Sequence, residues 1–362
     1  MEAVRVPLMR SSFGEKEREA ATASGLTASI FKYGTGVEAV RLANSRGCVL
    51  VLPYMGQIVW SATFDGVELA MQSMFAAPRP AKTIVETYGC LAYHCGLLRS
   101  GVPGPGDNHA LHGEAPCAEM DAACLAVGED ARGPWMAVTS EREYAMGFGA
   151  HYLATPRVVL RPDEGACEIV MEVENLSAAP MDLMYMCHAN FAFAEGGRIV
   201  QPVPFTPEHV VARMSIPGHI PATPEYEARI KEYAAHPERM ETLKEPDRYD
   251  PEQVFYIKGL RRSADGLVHF MLLRREGDAF AVAYDPESTP HTIRWIMVNG
   301  NQKVGAFAMP ATCEPEGYTA EKRKGNVRSL ASRAKARFVT RVGYIEAARA
   351  EHQARAIEGE QR

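Results

Sequence analysis

MDLMYMCHANF, residues 181–191, reads as a β-strand. Side chains along a strand alternate between its two faces. One face then carries Met181, Leu183, Tyr185, Cys187, Ala189 and Phe191, all suited to a core. The other carries Asp182, Met184, Met186, His188 and Asn190, and becomes more polar toward its C-terminal end. A sheet packed on one side and lining a cleft on the other produces this pattern. A core histidine bonded to a neighbour fits His188 equally well.

Similar short runs recur on both sides of this segment. They include VEAVRLAN (37–44), GCVLVLPY (47–54), QIVWSATF (57–64), CEIVMEVEN (167–175), LVHFMLLRR (267–275), IRWIMVNG (293–300) and RFVTRVGYI (337–345). Turn residues punctuate them, as in FDG at 64–66, RPDEG at 161–165, SADG at 263–266 and VNGN at 298–301. Helical segments are not regularly interleaved, which argues against a parallel α/β sheet. The expected fold is all-β: one large antiparallel β-sandwich domain spanning 1–362, with strands over about 28–345. Two helical exceptions are expected. PEYEARIKEYAAHPERMETLK (224–244) is a helical insertion that Pro237 should interrupt. IEAARAEHQARAIE (345–358) is a terminal surface helix.

Composition narrows the function. Lys and Arg number 39 against 45 Asp and Glu, a net charge of −6, which argues against a nucleic-acid partner. No segment approaches a membrane span, and the N-terminal residues hold no apolar run of signal-peptide length. The expectation is a cytoplasmic protein with reduced cysteines and no membrane partner. The eight cysteines form no CxxC pair. GxGxxG at a strand–helix junction, GxxxxGK[ST] and GxSxG are all missing, so neither a nucleotide cofactor nor a nucleophile elbow is expected.

Three contexts hold ionisable residues among apolar or turn-forming neighbours: His112 in NHALHGE, His188 in MYMCHANFAF and Glu314 in ATCEPEGY. The first belongs to the Gly/Pro-rich loop 99–116, which also carries Asn108, His109 and Glu114. His109, His112 and Glu114 read as a metal set only weakly, because HxxHxE has little specificity. Pro315 holds Glu314 extended, and burial there would make it a stronger base; an exposed glutamate at a strand end is the plain alternative. Trp60, Trp135 and Trp295 offer stacking surfaces for a sugar ring or simply fill the core.

The order LHG, then HANF, then EP near the C-terminus resembles the aldose 1-epimerase (galactose mutarotase-like) superfamily. CGLL at 95–98, EQVFY at 252–256, Trp295 and RVGY at 341–344 extend the resemblance to an uncharacterised bacterial branch of it. The resemblance implies a β-supersandwich with its site on a large sheet. It implies that His188 is the general acid and Glu314 the general base, and that His112 bonds substrate near the ring oxygen. Glu252 falls where the family often grips sugar hydroxyls. Asn108, His109, Asn190 and Trp295 complete the expected substrate-binding set. The implied activity is sugar mutarotation by acid–base ring opening, without metal or cofactor, on a small-molecule sugar. A non-catalytic sugar-binding protein on the same fold and a metal-dependent isomerase remain alternatives, and the oligomeric state, homo-oligomer included, stays open.

The sequence also departs from the family. Glu114 follows HG where a donor is common, and the family's loop arginine has no clear counterpart beyond Lys82, His94 or Arg99. A phosphosugar is disfavoured without a basic cluster.

Overall fold

The computed structural model describes residues 3–359. Among these residues two antiparallel sheets, of nine and thirteen strands, pack face to face. This is the expected all-β sandwich. Met181–Ala189 lies in the middle of the larger sheet, between Lys303–Ala311 and Ala92–Leu97. Beyond Lys303–Ala311 come His291–Val298, Gln253–Ile257 and the edge strand Val210–Ala212.

The alternation read in residues 181–191 is the alternation observed. Leu183, Tyr185, Cys187 and Phe191 join Ile169, Met171, Phe270 and Phe338 of the smaller sheet in the core between the layers. Tyr185 stacks on Phe338 with ring centroids 4.4 Å apart. Each such side chain contributes roughly 1.5–3 kcal/mol by leaving water. On the opposite face Met186 packs with Tyr93, Ile293 and Met309 in a second buried cluster. That second face carries the site.

Strand His291–Val298 shifts register against Lys303–Ala311 between Ile293 and Trp295. Such a bulge leaves ladder groups to be satisfied locally. Arg294, fully buried at the shift, donates Nε to the Phe307 carbonyl (3.0 Å) and Nη2 to Gln201 Oε1 (2.6 Å). Burial lowers its guanidinium to about 9.

The insertion forms helix Pro224–Ala235, followed by the 3-10 turn Pro237–Met240. Thr223 Oγ1 caps it by accepting from the Tyr226 amide at 3.2 Å, and Pro224 opens the first turn. Pro237 ends it, as expected. The terminal helix Ala347–Gly359 lays Ala350, Ala354 and Ile357 against Val200, Met271 and Ala279 of the smaller sheet. No helix among the described residues is long and apolar enough to cross a membrane.

Two boundaries differ from expectation. Strands begin at Val4–Pro7 and Arg18–Ala23, before residue 28, because these largely exposed edge segments lack the apolar signal of inner strands. Helix Tyr318–Lys324, with seven residues, is too short to show helical periodicity in sequence.

Candidate active site

Sheet order assembles the site. His188 and Tyr93 are direct partners on neighbouring strands, and their rings stack at 4.7 Å with planes 12° apart. Asn190, fully buried, sits below His188. Its Nδ2 donates to the Cys90 carbonyl at 3.1 Å, so its Oδ1 must face His188 Nδ1, 2.6 Å away. His188 Nδ1 therefore carries the proton, and Nε2 presents a lone pair. Tyr93 donates its hydroxyl to that of Tyr88 at 2.9 Å, and the Tyr88 hydroxyl lies 3.4 Å from His188 Nε2. Burial pushes the His188 imidazole down to about 3, although the Asn190 bond opposes this. His188 is thus neutral near pH 7.

His112 arrives from the loop that follows strand Ala92–Leu97. It takes a left-handed conformation, φ +63°, and Gly113 follows at +87°. A Cβ on Gly113 would lie 1.9 Å from the Arg99 carbonyl oxygen, so LHG requires its glycine. The His112 amide donates to Gly101 and its carbonyl accepts from Gly96, both at 2.9 Å. These bonds set its ring against His188, centroids 4.9 Å apart at 68°. Its Nδ1 is enclosed and without a hydrogen-bond partner among the described residues. A lone pair is cheaper to enclose there than an N–H, so the proton belongs on Nε2. Burial, then the neighbouring His188, holds this imidazole well below its usual range.

Both rings border a cavity of about 310 Å³ on the outer face of the larger sheet. Its polar wall is a buried ion pair: Arg213 Nη2 donates to Glu252 Oε1, and Trp295 Nε1 donates to Glu252 Oε2 at 2.7 Å. His219 and Ile220, from the loop leading into the helical insertion, close one side.

The structure brings together four of the eight expected site residues around this cavity: His112, His188, Glu252 and Trp295. Asn190 supports His188 from below without lining it. Asn108 is exposed; His109 Nδ1 donates to the Ala110 carbonyl at 2.8 Å; neither reaches the cavity. Glu314 does not line it either. Met309 and Pro315 do, whereas Glu314, beyond the end of strand Lys303–Ala311, turns toward the short helix Tyr318–Lys324. There its carboxylate pairs with Lys324 at 2.7 Å and Lys258 at 3.7 Å. Helix Tyr318–Lys324 supplies Lys324 and the buried Glu321, whose Oε2 accepts from the Glu314 amide at 2.9 Å.

The loop does not gather a metal set. Glu114 Oε1 accepts from the Leu97 and Leu98 amides at 2.8 Å and from the Tyr152 hydroxyl at 3.1 Å, so that carboxylate is committed to the fold. None of Lys82, His94 or Arg99 lines the cavity: His94 bonds Tyr185 at 3.0 Å and Arg99 stacks on Tyr318. The cavity's arginine is Arg213, which sequence reasoning missed along with Tyr88, Tyr93 and His219. One signal for it existed. In VVARM, strand alternation puts Val211 and Arg213 on the face opposite the core residues Val210 and Ala212.

The buried histidines make stability depend on pH. His94 and His188 are both held at about 3, against 6.5 for an unperturbed imidazole. Between those values the unfolded chain binds protons that the native state refuses, so stability rises with pH across the window and is lost as pH falls through it. Each histidine should cost about 2 kcal/mol between pH 7 and pH 5. Urea midpoints measured at both pH values check this; equal midpoints would show the imidazoles to be solvated.

The architecture belongs to the galactose mutarotase-like class of β-sandwiches. The chain itself belongs to the family described as domain of unknown function DUF4432, which matches residues 34–343. No curated protein sequence matches it. Among solved structures, a candidate aldose 1-epimerase from Klebsiella pneumoniae superposes with TM-score 0.82 at 15% identity, covering 100% of this chain and 96% of that one. A galactose mutarotase-like protein from Clostridium acetobutylicum gives 0.54 at 11% identity, covering 91% and 98%. A candidate aldose 1-epimerase from Escherichia coli K12 gives 0.54 at 12%, covering 84% and 97%. At these identities the likeness concerns the fold.

Proposed function

We propose that this protein is a cofactor-independent sugar mutarotase, interconverting the anomers of an aldose at the His112–His188 cavity. The observation that carries the reading is the pair of neutral imidazoles in opposite hydrogen-bonding states, 4.9 Å apart, beside a buried Arg213–Glu252 pair. His188 Nε2 accepts the proton of the anomeric hydroxyl while the bond between C1 and the ring oxygen breaks and the C1 carbonyl forms. His112 Nε2–H bonds the ring oxygen and stabilises the charge developing there, as a neutral imidazole can. The His188 imidazolium, strongly acidic because it is buried, returns its proton to the ring oxygen. Rotation about C1–C2 and the reverse steps give the other anomer. Arg213 and Glu252 hold ring hydroxyls, and Trp295 and Tyr88 offer faces to the C–H side of the ring.

These roles revise those the resemblance implied, where Glu314 was base and His188 acid. In this reading Glu314 supports the fold from outside the cavity. Glu314→Gln should leave catalysed exchange within about tenfold of the parent, while lowering the denaturation midpoint by loosening the Lys324–Glu321 cluster. Polarimetry on a freshly dissolved single anomer, with urea titration of the same sample, tests both halves. A large loss of exchange at unchanged stability would return the base role to Glu314.

A further inference from the structure

The groups that could meet hydroxyls are unevenly spread around the cavity. His112, His188, Arg213 and Glu252 form one contiguous group, His112 against His188, His188 against Trp295, and Trp295 bonded to the Glu252 that pairs with Arg213. The sheet beneath presents Met186, Val254, Ile293, Met297 and Met309, all apolar and buried. Ile293 and Met309 are direct cross-strand partners, and Val254 faces Trp295 across the next ladder. Asn299 and Gln302 also line the cavity, beyond this apolar floor, each with one end of its side-chain amide engaged. Asn299 Oδ1 accepts from the amides of Asn301 and Gln302, both at 2.9 Å, and Gln302 Nε2 donates to the Tyr88 carbonyl at 3.1 Å.

We propose that the substrate is a 6-deoxyaldose whose C5 methyl group rests on this apolar floor. The proposal depends on the reading above, in which His188 and His112 address C1 and the ring oxygen. In a pyranose C5 is bonded to the ring oxygen, so its substituent leaves the ring beside that atom. Met186 lies two residues from His188 on the same strand face, a spacing of about 6.6 Å. The C5 substituent therefore falls over Met186 and its neighbours Met309 and Ile293. A hydroxymethyl group would press a hydroxyl onto thioethers and branched alkyl carbon, where it finds no donor or acceptor of matching strength. A methyl group gains apolar contact with side chains soft enough to mould to it. A pentose would leave the floor uncovered.

Matched sugars differing only in the oxygen on C6 test this: D-fucose with D-galactose, L-fucose with L-galactose, L-rhamnose with L-mannose, and D-quinovose with D-glucose. Anomer exchange measured by NMR saturation transfer should give the deoxy member of the best pair a kcat/KM higher by about 10–100-fold. Equal or faster exchange of the hydroxymethyl member in that pair overturns the proposal. Should no pair exchange, the mutarotase reading falls, and ligand-detected NMR on the same pairs decides the substrate class separately. Tighter binding of the deoxy members would uphold it; equal binding, or none, would end it. Ile293→Thr places a hydroxyl on the floor and should narrow the ratio between pair members. An unchanged ratio in a folded Ile293→Thr protein would show that the C5 substituent lies elsewhere.

Discussion

Replacing His188 with alanine is expected to slow catalysed anomer exchange by about 10²–10⁴-fold, the usual worth of a positioned proton-transfer group. The argument rests on a single nitrogen. Asn190 is oriented by the Cys90 carbonyl and fixes the proton on His188 Nδ1, leaving Nε2 as the acceptor beside the cavity. Alanine removes that acceptor and the ring stacked on Tyr93. Glutamine keeps a polar group in place but cannot shuttle a proton, so His188→Gln should lose turnover to a similar degree. Asn190→Leu, which never touches substrate, should also lower turnover, because the imidazole would then be free to place its proton on Nε2. If His188→Gln exchanges the best substrate as fast as the parent, the shuttle is elsewhere.

The second large effect is on stability. Arg213→Met is expected to destabilise the fold by about 3–5 kcal/mol, because it leaves the Glu252 carboxylate buried without its cation. Both side chains are close to fully buried, at 7% and 11% exposure, so solvent screens the pair little. The double change Arg213→Met with Glu252→Met removes both charges and should cost less than the single one. Urea denaturation of the three proteins measures this. A loss of only about 1 kcal/mol or less in Arg213→Met would mean that the pair behaves like a surface salt bridge.

Much of the architecture was legible because inner strands announce themselves. A strand such as Met181–Ala189 has to match two different environments, and the alternation of Tyr185 and Cys187 with Met186 and His188 records both. Edge segments such as Arg18–Ala23 carry no such record, because water accepts almost any side chain there. In the site, LHG entered through the resemblance, and its physical reason, a left-handed His112 followed by a glycine that cannot bear a Cβ, belongs to the fold. Glu252 and Trp295 were expected through the resemblance, yet their bond to each other was not, since it depends on which strands become neighbours.

The same limit applies to Glu314, expected beside His112 and His188 and found outside the cavity lining. Its sequence context favours an extended backbone but not a side-chain direction, which past the end of strand Lys303–Ala311 depends on Lys324 and Glu321 of a helix too short to read in sequence. Pro315 took the cavity side. Arg213 and Tyr93 were hidden for a related reason. Each matters through a partner, Glu252 or His188, on a strand distant in sequence.

The most direct test of the central claim is anomer exchange itself, followed by NMR after adding the purified protein to freshly dissolved single anomers of the matched sugars. The account predicts accelerated exchange for at least one sugar, strongly reduced in His188→Gln and retained in Glu314→Gln. No acceleration for any sugar, or activity that survives His188→Gln and vanishes with Glu314→Gln, would contradict it.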